Sequence, residues 1–142
     1  MVNEGLIKSC VLTELPKIND NRGNLTFIEE MNHVPFEIKR VFYIYDIPTA
    51  VDRGAHAHKK NHQYLICLSG SMDVHLDDGE HKKKVHLNRP WQGLHIPPLI
   101  WASEANFAPN TLYVVLASET YDEADYHRDY NIFLDAVRGN DL

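Results

Sequence analysis

Short runs of apolar or alternating residues recur along the chain between turn-forming residues, at 25–29 (LTFIE), 38–45 (IKRVFYIY), 64–68 (YLICL), 72–76 (MDVHL), 84–87 (KVHL), 93–96 (GLHI) and 111–117 (TLYVVLA). Runs of this length and spacing predict an antiparallel sandwich or barrel. The Asp77-Asp78-Gly79 segment is a hairpin signal, because glycine accepts the positive backbone angle of a tight turn, so strands 72–76 and 82–87 are expected to pair. Pro97-Pro98 removes two backbone donors and predicts a bend between Ile96 and Ile100, at a barrel rim. The period then changes. From Asp122 onward, Tyr126, Tyr130, Phe133, Leu134 and Val137 recur at helical intervals, Thr120 to Glu123 has the form of a capping box, and Gly139 is a stop signal. The pattern predicts an all-β barrel over about 1–120 followed by one amphipathic C-terminal helix over about 121–138, with the tyrosine stripe serving as packing.

Composition narrows this picture. The 142 residues contain no repeat, low-complexity segment or Gly/Ser linker, which predicts a single domain over 1–142. No apolar run approaches the roughly 18 residues of a membrane span. The first residues, MVNEGLIKSC, have neither a basic leader before a long apolar block nor a small-residue cleavage site, so a cytoplasmic protein is expected. Two distant cysteines, Cys10 and Cys67, the second within an apolar run, are read as reduced and Cys67 as buried. A formal charge of −6 argues against a duplex nucleic-acid partner, despite the Lys82-Lys83-Lys84 run.

The candidate chemistry lies in R53-G-A-H-A-H-K-K60. On a strand, His56 and His58 share a face because side chains alternate. With nine histidines in the chain, about 0.6 His-x-His pairs are expected by chance, so context must carry the weight. Gly54, His56, His58, Gln63 and Gly70 follow the spacing of the first cupin motif, and P97-P-L-I-W-A102 lies where the second belongs. The resemblance implies a cupin-type jelly-roll barrel. The four ligand positions of a metal-dependent cupin read His56, His58, Gln63 and Ala102, and only the two imidazoles are strong donors. His62 and His95 are the only nearby substitutes, and His62 has the wrong strand parity. The expectation is therefore no metal and no cofactor. Paired imidazoles instead supply one base and one conjugate acid near neutral pH.

Over nearly its whole length the chain resembles the cupin-fold dTDP-4-oxo-6-deoxyglucose 3,4-ketoisomerases, through D20-N-R-G23, I38-K-R-V-F-Y-I-Y-D46, the His56/His58 segment, L76-D-D-G79, Trp101, V115-L-A-S118 and Y121-D-E-A-D-Y126. The resemblance implies a metal-free isomerase of deoxyaminosugar biosynthesis acting on a dTDP-linked 4-oxo-6-deoxyhexose, and a homodimer with exchanged N-terminal strands. It implies His56 as base, His58 as partner or relay, and Tyr43 as donor to the oxyanion. Arg40 and Arg53 are implied at the diphosphate, with Arg22 and Trp101 as further substrate contacts. Ala102 departs from the family, which carries His or Arg after the tryptophan. The alternatives are a metal-dependent cupin enzyme, a noncatalytic sugar-nucleotide-binding barrel, and a 3,5-epimerase. For the last, no Asp or Glu lies close enough in sequence to be nominated as an acidic partner of the histidines.

Overall fold

The computed structural model describes residues 4–139. After a short helix α1 (Glu4–Lys8), twelve strands follow: β1 (Val11–Glu14), β2 (Lys17–Asp20), β3 (Gly23–Thr26), β4 (Arg40–Ile44), β5 (Arg53–His58), β6 (Gln63–Ser69), β7 (Met72–Asp77), β8 (Lys82–Leu87), β9 (Gln92–Ile96), β10 (Trp101–Ala105), β11 (Leu112–Ala117) and β12 (Tyr126–His127). Helix α2 (Tyr130–Arg138) closes the described chain. Two five-stranded antiparallel sheets, β1-β9-β6-β11-β4 and β12-β5-β10-β7-β8, face each other, and β2-β3 forms a separate hairpin.

The alternation read from the sequence is the packing pattern. Leu65, Cys67, Leu94, Ile96, Tyr113 and Val115 of the first sheet meet Met72, Val74, Leu76, Val85, Leu87 and Ala102 of the second in one core. β6 is apolar on both faces because Tyr64 and Ile66, with Leu116 of β11, pack under Val34 and Phe36 of the loop crossing outside the first sheet. A strand covered on both sides reads as a continuous apolar run. Cys10 and Cys67, 0% and 1% exposed, are unpaired thiols in the inter-sheet core. The expected hairpin forms, with Asp77 opposite Lys82 and Met72 opposite Leu87. The chain bends after Ile96, where Leu99 takes a φ of 62° and its N–H donates to the His58 carbonyl.

Gly93 faces the Tyr64 ring so closely that a Cβ there would overlap it, while the Tyr64 hydroxyl is tied to Thr13 at 2.6 Å and cannot swing freely. Gly93→Ala is expected to destabilise the fold by about 3 kcal/mol, near the upper end for overpacked cores, as read from chemical denaturation.

The tail departs from the expected helix. Residues Glu123–Asp125 form a 3-10 turn capped by Asp122, Tyr126–His127 add to the β5 edge, and α2 begins only at Tyr130. Its N-cap is Asp129, whose carboxylate accepts from the N–H groups of Asn131 and Ile132, so the Thr120–Glu123 box caps nothing. An ionised Asp is at least as good a cap as Thr, and pairing of Tyr126 with His58 holds the intervening backbone extended. Gly139 ends α2 in the left-handed conformation, as expected. Phe133 and Val137 bury against Ala57, with Trp101, Tyr130 and Leu134 packed around them, so the stripe is packing from Tyr130 onward, while Tyr126 leaves it for the β5 edge. No helix among the described residues is long and apolar enough to cross a membrane.

Candidate active site

Between the two sheets lies a cavity of about 450 Å³. Phe42 and Ile44 of β4, Leu65 of β6 and Val115 of β11 give it an apolar wall. Gln63 of β6 and Tyr113 of β11 line the same sheet's face, His56 and Glu104 come from the facing sheet, and Tyr126 and Arg128 from the tail, with Asp52 and Arg53 at the exposed start of β5.

β5 carries an irregularity that decides what faces this space. Gly54 and Ala55 both have positive φ, 83° and 65°. Across the ladder, Ala102 pairs with His56 but the next residue, Ser103, pairs with Gly54, so Ala55 is the extra residue of a β-bulge. Without it, Arg53 and His56, three apart, would point to opposite faces. With it, Arg53 lies directly across from Glu104, and both line the cavity. Gly54 leaves the room they need: a Cβ there would sit 2.9 and 3.2 Å from the two Glu104 carboxyl oxygens.

The two histidines converge. Their ring centroids are 5.0 Å apart, edge to face, and Tyr126 packs on both, at 5.0 Å from His56 and 4.4 Å from His58. His58 is only 5% exposed, and its Nδ1 lies 2.9 Å from Asp125 Oδ2. The same carboxylate accepts from the backbone N–H groups of Lys60, at 2.7 Å, and Asn61, at 3.3 Å. A carboxylate bonded in this way is an acceptor throughout, so His58 Nδ1 carries the hydrogen and Nε2 is the basic nitrogen of the neutral ring. That Nε2, and Nδ1 of His56, are buried without a hydrogen-bond partner. Burial lowers the His56 pKa to about 4, with further lowering from the neighbouring His58 and Arg128 charges. For His58, burial also lowers the pKa, opposed by the bond to Asp125. Both rings are poised as neutral bases.

The other expected site residues fall in different places. Arg40 is beside the histidines: its charge acts on His58, and its guanidinium lies over the rings of Phe42 and Tyr121. Tyr43 is 62% exposed and stacks with Tyr45 on the outer face of β4, because Phe42 and Ile44 hold the inward positions. Trp101 packs on Tyr130 and Phe133 and borders a groove outside the second sheet with His75, Asp77 and Lys82. Arg22, on the β2-β3 turn, is ion-paired with Asp20 at 2.7 Å. Neither Tyr43, Trp101 nor Arg22 reaches the cavity within this chain. His62 and His95 stack on each other beside Phe36, outside the first sheet.

Asp125, Glu104, Tyr113, Tyr126 and Arg128 were not singled out for the site from sequence. Asp125 is 67 positions from His58, and only the turn that precedes β12 brings it back. Arg128 lies over the Tyr126 ring at 4.2 Å and is held by Glu123 through bonds of 2.6 and 3.0 Å. That pairing draws the exposed Glu123 carboxyl down to about 2. The site thus combines two free bases, a clamped orienting carboxylate, and two arginines at its mouth.

Comparison with known proteins points the same way. The family model described as "FdtA: WxcM-like, C-terminal" matches residues 8–138. A TDP-4-oxo-6-deoxy-alpha-D-glucose-3,4-oxoisomerase from Aneurinibacillus thermoaerophilus is 47% identical over 117 residues, which are 82% of this chain and 84% of that one. A histidine-to-asparagine variant of the 3,4-ketoisomerase QdtA from Thermoanaerobacterium thermosaccharolyticum, in complex with TDP-4-keto-6-deoxyglucose, is 41% identical with a TM-score of 0.90, over 94% of this chain and 97% of that one. The TDP-quinovose 3,4-ketoisomerase WlaRB from Campylobacter jejuni is 48% identical with a TM-score of 0.86, over 89% and 98% of the respective chains.

Proposed function

Since the chain belongs to the FdtA family of cupin-fold dTDP-sugar 3,4-ketoisomerases and is an isomerase of that kind, we propose that it converts dTDP-4-oxo-6-deoxyglucose to its 3-oxo isomer by proton transfer between His56, His58 and the hexose. His56 takes the proton from C3, the electrons form an enediol across C3 and C4, and a proton is delivered to C4. The hydroxyl proton at C3 leaves as its oxygen becomes the carbonyl, and the former C4 carbonyl oxygen gains one. His58, its Nδ1 fixed by Asp125, serves as the relay. The observation that carries this reading is two imidazoles packed edge to face, each with a buried unpartnered nitrogen, with His56 in the wall of the cavity.

The oxyanion donor has to come from the cavity. Tyr43 is turned away within its own chain, so Tyr126 and the Gln63 carboxamide, both at the cavity, take that role in place of the expected Tyr43. The two cations at the mouth, Arg53 and Arg128, suit the diphosphate, because a guanidinium presents paired N–H groups to phosphate oxygens. Arg53→Ala is expected to raise KM by about 10-fold with a smaller change in kcat, measured by steady-state kinetics, since the charge acts on bound and transition states alike.

The reaction as written uses no metal. Of the four cupin ligand positions only His56 and His58 are strong donors, because Ala102 has no donor atom and Gln63 is a weak neutral one. We also propose a homodimer in the cytoplasm. Exposed Ile18 and Leu25 on the β2-β3 hairpin, with Val41 and Tyr43 on the edge strand β4 and Tyr45 just after it, form apolar surface suited to a second copy. Any exchanged strands would be β2 and β3, since β1 is paired with β9 of its own chain. In such a dimer Arg22 and Tyr43 become candidates for the partner's cavity.

The test is incubation with dTDP-4-oxo-6-deoxyglucose in deuterated buffer, with NMR of the product and metal analysis of the protein. A 3-oxo product carrying deuterium at C4, from metal-free protein, is the expected result. A carbonyl left at C4 with inverted centres would indicate epimerisation, for which Asp125 provides the acidic partner that the sequence did not reveal. Tight binding without exchange would indicate a binding barrel. Sedimentation of the same sample tests the dimer.

A further inference from the structure

Glu104 has no role in the proton transfer just described, yet it is a carboxyl group in the wall of the same cavity. Its Oε1 accepts a bond of 3.1 Å from the Tyr113 hydroxyl, and Tyr113 is itself fixed by stacking on Phe107. Both carboxyl oxygens lie over Gly54, and among the described residues Oε2 has no hydrogen-bond partner. Arg53 stands directly across the ladder from Glu104 without forming an ion pair with it. Burial raises the Glu104 pKa to about 7, against the opposing effects of Tyr113 and Arg53, so near neutrality a good share of the population is the uncharged acid, able both to donate and to accept.

Position now decides the ligand group. Glu104 lies two residues along β10 from Ala102, which pairs with His56, a separation of about 6.6 Å along the strand. Going outward from the reacting histidine, the cavity wall presents His56, then Glu104 over Gly54, then Arg53 at the mouth. In a dTDP-4-oxo-6-deoxyhexose the order is C4 and C3, which react, then C2, then C1 with its diphosphate. The hydroxyl at C3 is consumed by the reaction, and C6 bears only hydrogen. The C2 hydroxyl is thus the one hexose hydroxyl that persists from substrate to product, and it falls between the reacting carbons and the diphosphate, as Glu104 falls between His56 and Arg53.

We propose that Glu104, positioned by Tyr113 and admitted by the missing side chain of Gly54, binds the C2 hydroxyl of the hexose and makes the enzyme selective for sugars that carry it. This rests on the 3,4-ketoisomerase reading above. A site built around a hydroxyl rejects the analogue that lacks it, because its own polar group is then left buried without a partner.

The test compares dTDP-4-oxo-6-deoxyglucose with its 2-deoxy analogue on the wild type, Glu104→Gln and Glu104→Ala, with circular dichroism to verify folding. The wild type is expected to lose about 30-fold or more in kcat/KM on the 2-deoxy analogue. Glu104→Ala is expected to lose a similar factor on the parent sugar and to treat the two substrates alike. Glu104→Gln, whose amide both donates and accepts, is expected to retain most of the parent activity and the preference for the 2-hydroxyl. A wild type that turns over both sugars equally overturns the proposal without any variant. So does a Glu104→Ala protein that loses activity but keeps the wild-type discrimination. Failure of the wild type to isomerise the parent sugar at all would strike the ketoisomerase reading instead.

Discussion

Replacing His56 with asparagine is expected to leave the barrel folded and to lower kcat by 100-fold or more, the usual scale for a general base. Asparagine fills much the same space and stays polar but has no nitrogen that takes a proton at neutral pH. The ring packs on His58 and Tyr126 at the cavity and bonds to no structural partner through Nδ1, so its loss removes chemistry before it removes stability. His58→Asn is expected to fall in the same range. Stopped assays with NMR of the products measure both, and near-normal turnover in the two variants would remove the imidazoles from the mechanism. The pH profile supplies an independent check. His56 must be unprotonated to act, and its pKa in the fold is about 4 rather than 6.5. The rate on free enzyme should therefore stay level as pH falls through 6.5 and decline only toward 4. Stability has the same sign: the unfolded chain binds a proton here at higher pH than the fold does, so this site costs stability progressively as pH drops from about 6.5 to about 4. An activity loss centred near 6.5 in protein that remains folded would contradict the buried neutral base.

The second large effect concerns a residue that never touches the sugar. Asp125→Asn keeps the size of the side chain and its oxygen acceptor, but replaces one acceptor oxygen with an N–H₂ donor. If that donor meets His58 Nδ1, the hydrogen on the ring must move to Nε2, the nitrogen needed as base. A fall in kcat of about 100-fold is expected, with KM changed by less than about 3-fold, because the diphosphate contacts are untouched. Nitrogen-15 NMR of the His58 ring distinguishes this from simple loosening: the wild type should show Nδ1 protonated and the variant Nε2. An unchanged tautomer together with lost activity would assign Asp125 to holding the Lys60-Asn61 backbone alone.

How far the sequence foretold this site depends on which contact is considered. The two-sheet barrel, the Asp77–Lys82 hairpin and the shared face of His56 and His58 follow from a period of two, and each was legible. The phase of β4 was not: Val41, Phe42, Tyr43, Ile44 and Tyr45 are apolar or aromatic on both faces, so alternation alone cannot say which tyrosine or phenylalanine points inward. The role of Trp101 as a substrate contact is implied by the family resemblance alone, whereas its ring packs on Tyr130 and Phe133 of α2, a tertiary contact that no local pattern announces. The C-terminal helix was foreseen in kind but not in extent, since Tyr126 fits a helical stripe and the strand pairing that claims it is tertiary. The bulge at Gly54-Ala55 left a trace, a glycine before the histidines, but nothing local says that an extra residue turns Arg53 inward. Asp125 and Glu104 lie far along the chain from His56 and His58, and a carboxylate among 20 acidic residues gives no sign of its own.

The two thiols buried between the sheets have a practical consequence. Burial raises Cys10 to about 12 and Cys67 to about 11, and it is the ionised sulfur that alkylating reagents attack. Native protein should stay unlabelled by iodoacetamide at neutral pH while unfolded chains react, which turns alkylation into a clock for opening of the barrel. It also leaves the surface chemically silent, so a single cysteine introduced at Asp52 would accept a fluorophore at the mouth alone and report nucleotide arrival in real time.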